Sequence, residues 1–277
     1  MITPLETQST ASVAAHYDEL SPFYLDLWGE HLHHGLWSSG DETPEEAVRK
    51  MVDVVAAEAR IGPGGAVCDV GCGYGATARM LAGEYGAEVT GLTISKVQLD
   101  HARAAGGGPR YLLADFMDSG LPDDSFDAVI SIESSEHMDK VRFFAEAARV
   151  LRPGGRIVVC ACLAAPHPSA FAVRHLLEPI SREGRSQGLG TDEDYRALIA
   201  GAGLELLRIQ DVSEAVRRTW PICAGRLAKV VVTKKAYRDV LLDRTNTNRI
   251  LALTLLRIWA AYRVGAMRYG VFTATKR

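Results

Sequence analysis

Three closely spaced glycines between a strand pattern and a helix pattern constrain this chain more than any other feature. Residues 66–70 are apolar and short enough for a buried strand, Gly71, Gly73 and Gly75 follow, and helical spacing sets in from Ala76 to about Tyr85. Glycines permit positive φ and let a backbone come close to a ligand. The first N–H groups of the helix lie unpaired beside them.

The remaining chain repeats the alternation. The spacing predicts strands over 88–92, 110–114, 126–132 and 156–162, with helices over 96–105 and 140–151 and a turn at Pro153-Gly154-Gly155. Thr43 and Glu46 form a capping box around Pro44, starting a helix that runs to about Ala59. Thr191 caps a helix over 192–202, before a sixth strand at 204–212 and a seventh, edge strand at 269–275. The expected fold is α/β, a Rossmann-like doubly wound seven-stranded sheet. Residues 1–43 form an N-terminal helical lid, with short helices broken at Ser21-Pro22. A helical substrate cap covers about 163–190 and 214–267, inserted before the last strand.

Asp69 narrows the ligand. A carboxylate just ahead of the glycines repels a phosphate but accepts hydrogen bonds from an ammonium. The spacing is Gly-x-Gly-x-Gly, and the second strand ends in Gly91-Leu92-Thr93, without the acidic residue that holds a ribose in nicotinamide enzymes. Both features favour a cationic, phosphate-free nucleoside, S-adenosylmethionine. The chain has 277 residues, a net formal charge of -3 and 47% hydrophobic residues, a balance that gives no general attraction to nucleic acid or anionic lipid, so a small-molecule partner is expected. Five cysteines in no regular framework and a polar start point to the cytoplasm. Arg257 and Arg263 break the most apolar late stretch, so no membrane span is expected.

Several blocks together resemble the class I methyltransferases, in the group containing gamma-tocopherol methyltransferases, related small-molecule methyltransferases and, more distantly, cyclopropane fatty-acid synthases. They are Trp28-Gly29-Glu30-His31-Leu32-His33-His34-Gly35, the glycine block, Gly91-Leu92-Thr93-Ile94-Ser95-Lys96-Val97-Gln98 and Glu133-Ser134-Ser135-Glu136-His137-Met138. The turn at Pro153 and Tyr269-Gly270-Val271-Phe272 add to the likeness. The resemblance implies a methyltransferase domain over 44–277 with S-adenosylmethionine as cofactor. It assigns Asp69, Gly71 and Gly73 to the methionyl part, and Thr93, Ile94 and Gln98 to the ribose. Asp115 and Phe116 fall at the adenine, and Ser131 at the end of the fourth strand.

His137 is the candidate base, because an imidazole titrates near neutrality, and Glu133 and Glu136 either orient it or bind the acceptor. The acceptor is expected to be a small hydrophobic or aromatic molecule methylated on O, C or N, in secondary metabolism. The alternative is a cyclase or other non-methyl step on a polyketide or lipid, at the same cofactor site. His31, His33 and His34 suggest a metal cluster, but their spacing fits no standard site, and the resemblance places them in the lid; no metal is expected. Cys160 and Cys162 share a strand face as buried thiols. Trp220, the apolar run over 250–256, Trp259 and Tyr262 form cap core, a homodimer surface or an apolar wall for the acceptor. Arg217, Arg218, Arg257 and Arg263 read as solvated surface.

Overall fold

The computed structural model describes residues 1–3, 8–243 and 250–277, so residues 4–7 of the expected lid and 244–249 of the expected cap lie outside the described residues. Seven strands, β1 (Ala66–Val70), β2 (Glu88–Thr93), β3 (Arg110–Leu113), β4 (Phe126–Ile132), β5 (Leu151–Ala164), β6 (Leu204–Asp211) and β7 (Met267–Lys276), form one sheet in the order β3-β2-β1-β4-β5-β7-β6. Pairs from β3 through β5 are parallel, whereas β7 runs antiparallel to both β5 and β6. From β1 the chain winds to one side and from β4 to the other. The crevice beyond their carboxyl ends is therefore the place where ligands bind in such sheets.

Helices cover both faces. On one lie α2 (Pro44–Ala59) and α3 (Ala76–Tyr85), with Met51, Val55 and Leu81 buried; α4 (Lys96–Ala105) adds Leu99 and Ala102. On the other, α5 (Lys140–Val150) and α8 (Asp192–Gly201) bury Phe143, Phe144, Tyr195 and Ile199. Over the crevice lie α1 (Thr10–Leu27), the segment made of α6 (Ala170–Ala172), a π-turn (Val173–Leu177) and α7 (Glu178–Glu183), and the helices between β6 and β7. Those are α9 (Ser213–Val216), α10 (Thr219–Thr233), α11 (Lys235–Leu242) and α12 (Leu251–Arg263). No described helix is long and apolar enough to cross a membrane.

The structure corrects three local expectations. β7 is not the edge strand; it lies between β5 and β6, and β6 is at the edge. Tyr269, Val271, Phe272 and Ala274 are all buried, as suits a strand covered on both faces, whereas β6 exposes Glu205, Leu207 and Arg208. α1 is one helix through Pro22, not two pieces. The lost backbone bond is outweighed by the burial of Leu20, Ser21 and Leu27 and by the bond between the Ser21 and Tyr74 hydroxyls. The Pro153 turn lies within β5: Phe126 pairs with Leu151 and Ala128 with Arg156, so residues 152–155 bulge outward.

The capping box holds as written, with the Thr43 side chain accepting from the Glu46 N–H and the Glu46 side chain from the Thr43 N–H. Thr43→Ala should cost about 1 kcal/mol of stability. Differential scanning calorimetry should read this as a Tm lower by roughly 2 °C, with cofactor affinity unchanged.

Candidate active site

The turn after β1 is shaped by what an added side chain would meet. Gly71 has φ +72°, and a Cβ there would lie 2.3 Å from the Cβ of Ser134. Ser134 is itself fixed, its hydroxyl bonding the Val70 carbonyl and the Ser131 hydroxyl. Gly75 begins α3 at φ +78°, closed over by the Tyr111 hydroxyl, which donates to the Gly75 carbonyl. Asp69 at the end of β1 is 3% exposed, and its Oδ2 has no hydrogen-bond partner. Burial alone raises its pKa to about 7.

Three adjoining spaces open at the carboxyl ends of β1 and β4. The smallest is bounded by Asp69, Gly71, Gly73 and Thr77, with His31 and His33 from the connection between α1 and α2. Burial holds both imidazoles below the usual histidine range, His31 at about 3, so this end stays uncharged apart from its carboxylates. The second space, about 710 Å³, is lined by Gly71, Gly73, Thr93, Ile94, Gln98, Asp115 and Phe116, and by Thr10, Val13 and Tyr17 of α1. Here the Thr93 hydroxyl donates to the Gln98 carbonyl oxygen at 2.9 Å. Asp115 caps the turn at Phe116–Asp118 and accepts from Thr10. Phe116 is also core, its ring tilted against Phe143.

The third space, about 1080 Å³ with its mouth, has aromatic walls (Tyr17, Tyr24, Trp28, Trp220) and aliphatic ones (Leu20, Ile180, Leu189, Leu255, Ile258, Met267). Its acidic side chains are Glu133, Glu136 and Glu183, and no Lys or Arg among the described residues joins them. Tyr17, Leu32, Glu133 and His137 line both the second and third spaces, and so form the partition between them.

At that partition His137 is oriented from both ring nitrogens. Nδ1 lies 3.0 Å from the Arg185 carbonyl, which can only accept, so Nδ1 carries the proton. Nε2 is left to accept from the Tyr17 hydroxyl at 2.9 Å. Burial lowers the His137 pKa below its usual value, and burial raises that of Tyr17 well above 10, so the pair is neutral imidazole and phenol.

Glu133 sits at φ +55°, strained for a residue with a side chain. Oε1 accepts from the His34 N–H (2.7 Å) and the Tyr269 hydroxyl (2.6 Å), and Oε2 lies 2.9 Å from His34 Nδ1. Burial opposes its charge, but His34 and Tyr269 outweigh that and leave its pKa below normal. Burial and the neighbouring Glu133 raise the pKa of Glu136, whose Oε1 accepts from the Cys162 N–H at 2.8 Å.

Of the candidate cofactor and catalytic residues, Ser131 alone lies outside these linings; Trp259 and Tyr262, expected as part of an acceptor wall, lie outside them as well. Ser131 is fully buried, and its hydroxyl braces the loop by accepting from the Ser135 N–H. His34, Glu133 and Cys162 come within 4.8 Å of one another, the kind of group that can hold an ion. However, His34 Nε2 accepts from the Trp220 indole at 2.8 Å while Nδ1 faces Glu133, so neither nitrogen has a free lone pair. Burial also holds the Cys160 and Cys162 thiols up, in the protonated form. Tyr17, Leu32 and Glu183 were not singled out by sequence. Tyr17 shows only as one aromatic residue in a helical repeat, and its partner lies 120 positions away.

Residues 68–159 match the family described as "Methyltransferase domain". The chain is 36% identical over 222 residues to 27-O-demethylrifamycin SV methyltransferase of Amycolatopsis mediterranei (strain S699), covering 76% of this chain and 79% of that protein. It is 30% identical over 292 residues to the chloroplastic tocopherol O-methyltransferase of Arabidopsis thaliana, covering 95% and 81%. Among solved structures, mycolic acid cyclopropane synthase CmaA1 superposes with a TM-score of 0.85 at 23% identity, over 98% of this chain and 99% of that one. The chain belongs to the class I S-adenosylmethionine-dependent methyltransferases, is related to the tocopherol methyltransferases, and shares its fold with the mycolic acid cyclopropane synthases.

Proposed function

We propose that this enzyme methylates an O, C or N atom of a hydrophobic small molecule of secondary metabolism, seated in the aromatic-walled space. The carrying observation is the partition: four side chains separate a nucleoside-sized space from an apolar one, with His137 and Tyr17 among them. The residues fit the cofactor. Asp69 offers an unspent buried carboxylate oxygen for an ammonium, and Gly71 leaves a bare backbone where a Cβ has no room. Gln98, Asp115 and Phe116 suit ribose and adenine. Ser131 supports the loop through the Ser134 hydroxyl and the Ser135 N–H.

S-adenosylmethionine bound there supplies an electrophilic methyl group on a sulfonium. For a hydroxyl acceptor, the Tyr17 oxygen accepts the acceptor's proton as Tyr17 passes its own to His137 Nε2. Arg185 holds the ring in the required tautomer. Glu133 ties His34 and the lid (1–43) to β7 and contributes positioning, while Glu136 presents a carboxyl to the acceptor side. Much of the acceleration comes from holding acceptor and methyl in line.

Titration calorimetry should show micromolar binding of S-adenosylmethionine. Affinity should depend on pH through Asp69. Below about pH 7 its carboxyl is protonated in the free protein and must lose that proton to meet the ammonium. Binding should therefore weaken toward tenfold per unit as pH falls below 7, and level off above it. A flat profile between pH 6 and 8 would remove Asp69 from the site. Turnover should yield S-adenosylhomocysteine one-to-one with methylated product; product without it would mean a cyclase or another non-methyl step.

A further inference from the structure

Helix α12 breaks the rule for a surface helix. Its inner face, with Leu255 and Ile258, walls the acceptor space. Its outer face turns Leu253, Leu256 and Trp259 to solvent at 44%, 54% and 40% exposure. A helix apolar on both sides has a second environment to bury. Phe171, 69% exposed, belongs to the segment whose π-turn packs against α12, and Val264 just beyond the helix is 65% exposed.

Arg217, Arg218 and Arg263 lie beside Trp259, and the segment that carries α12 is basic in sequence, although Arg226, Lys234 and Arg257 pair with Glu45, Asp26 and Glu183. Residues 214–263 hold eleven Lys or Arg against three Asp or Glu, a net of +8 in a chain whose net charge is -3. Several of these charges meet no carboxylate among the described residues. Arg218 donates to the Gly40 carbonyl, Arg238 to those of Val231 and Val232, and the Arg263 guanidinium lies 5.1 Å over the Trp259 ring. Bulky apolar side chains among long basic ones suit a bilayer surface. The apolar groups enter the acyl boundary while the cations reach the headgroup phosphates. A second copy of the chain is the poorer occupant, because it would bring two basic surfaces together. Nucleic acid would leave the leucines unburied.

We propose that the outer face of α12 and the basic surface around it dock this enzyme on an anionic membrane, so that a lipophilic acceptor enters the space behind α12. The proposal goes beyond the methyl-transfer reading and is measured without turnover, so either can fail alone.

The test is sedimentation of the full chain with vesicles of phosphatidylcholine alone and of phosphatidylcholine mixed with phosphatidylglycerol. Binding to the mixed vesicles should be at least about tenfold tighter and should weaken with added salt. The double variant Leu253→Glu/Leu256→Glu should lose that binding about tenfold, while its melting temperature and cofactor titration stay those of the parent. Equal binding to both vesicle types, or a double variant that binds like the parent, would overturn the proposal. So would a concentration-dependent dimer that the double variant abolishes.

Discussion

Replacing His137 with glutamine should lower kcat by about 100- to 10,000-fold, with S-adenosylmethionine affinity nearly unchanged. The expectation follows from position and orientation. His137 stands in the partition between the second and third spaces, which we propose hold cofactor and acceptor, with Nδ1 spent on the Arg185 carbonyl and Nε2 facing Tyr17. Glutamine can keep a hydrogen bond but cannot hold a proton. Tyr17→Phe should give a comparable loss, because it removes the oxygen that takes the acceptor's proton and hands its own to the imidazole. The sign of the pH effect is also set. Burial lowers the His137 pKa, so the neutral, proton-accepting form persists below pH 6.5. At saturating cofactor, the wild-type kcat should stay level through neutrality and fall as pH drops through that lowered value. Steady-state kinetics over pH 5 to 9 would decide it. Full activity in the glutamine variant would leave in-line positioning as the whole source of rate.

Gly71→Ala should abolish cofactor binding in practical terms, with affinity lower by at least about 100-fold and a lower Tm. The added methyl would stand 2.3 Å from Ser134 Cβ, at a backbone φ of +72° that a side chain resists. Ser134 cannot step aside without giving up its bonds to Val70 and Ser131. Gly73→Ala is the matching control for stability. Its φ is +54°, but no atom lies within 4 Å of the new methyl, so it carries the strain without the collision and should lower Tm less. Thermal melts of both variants, with a cofactor titration of each, separate the two effects. Equal Tm losses would show that strain, not collision, is what the glycine avoids.

The parts of the site that lie close together in sequence were legible before folding. The glycine turn, the block over 91–98 and the Glu133-to-His137 loop each sit directly after a strand. Once the strands are recognised, their shared sheet end brings them together. The capping box at Thr43 was equally local. The errors fell where long-range packing decides. A proline marks a helix break by its missing N–H, yet Pro22 stays inside α1 because Leu20 and Leu27 are buried. The last strand was placed at an edge by its position in the chain, whereas its burial puts it inside the sheet.

Chain order, most strand and helix types and the cofactor's class followed from the sequence, because each rests on local backbone preference and on chemistry carried within a few positions. The pairing of Tyr17 with His137, the clasp of Glu133 by His34 and Tyr269, and the two apolar faces of α12 belong to tertiary structure. Those contacts join residues 99 to 136 positions apart, or depend on which side of a helix finds a neighbour, and no local preference encodes either.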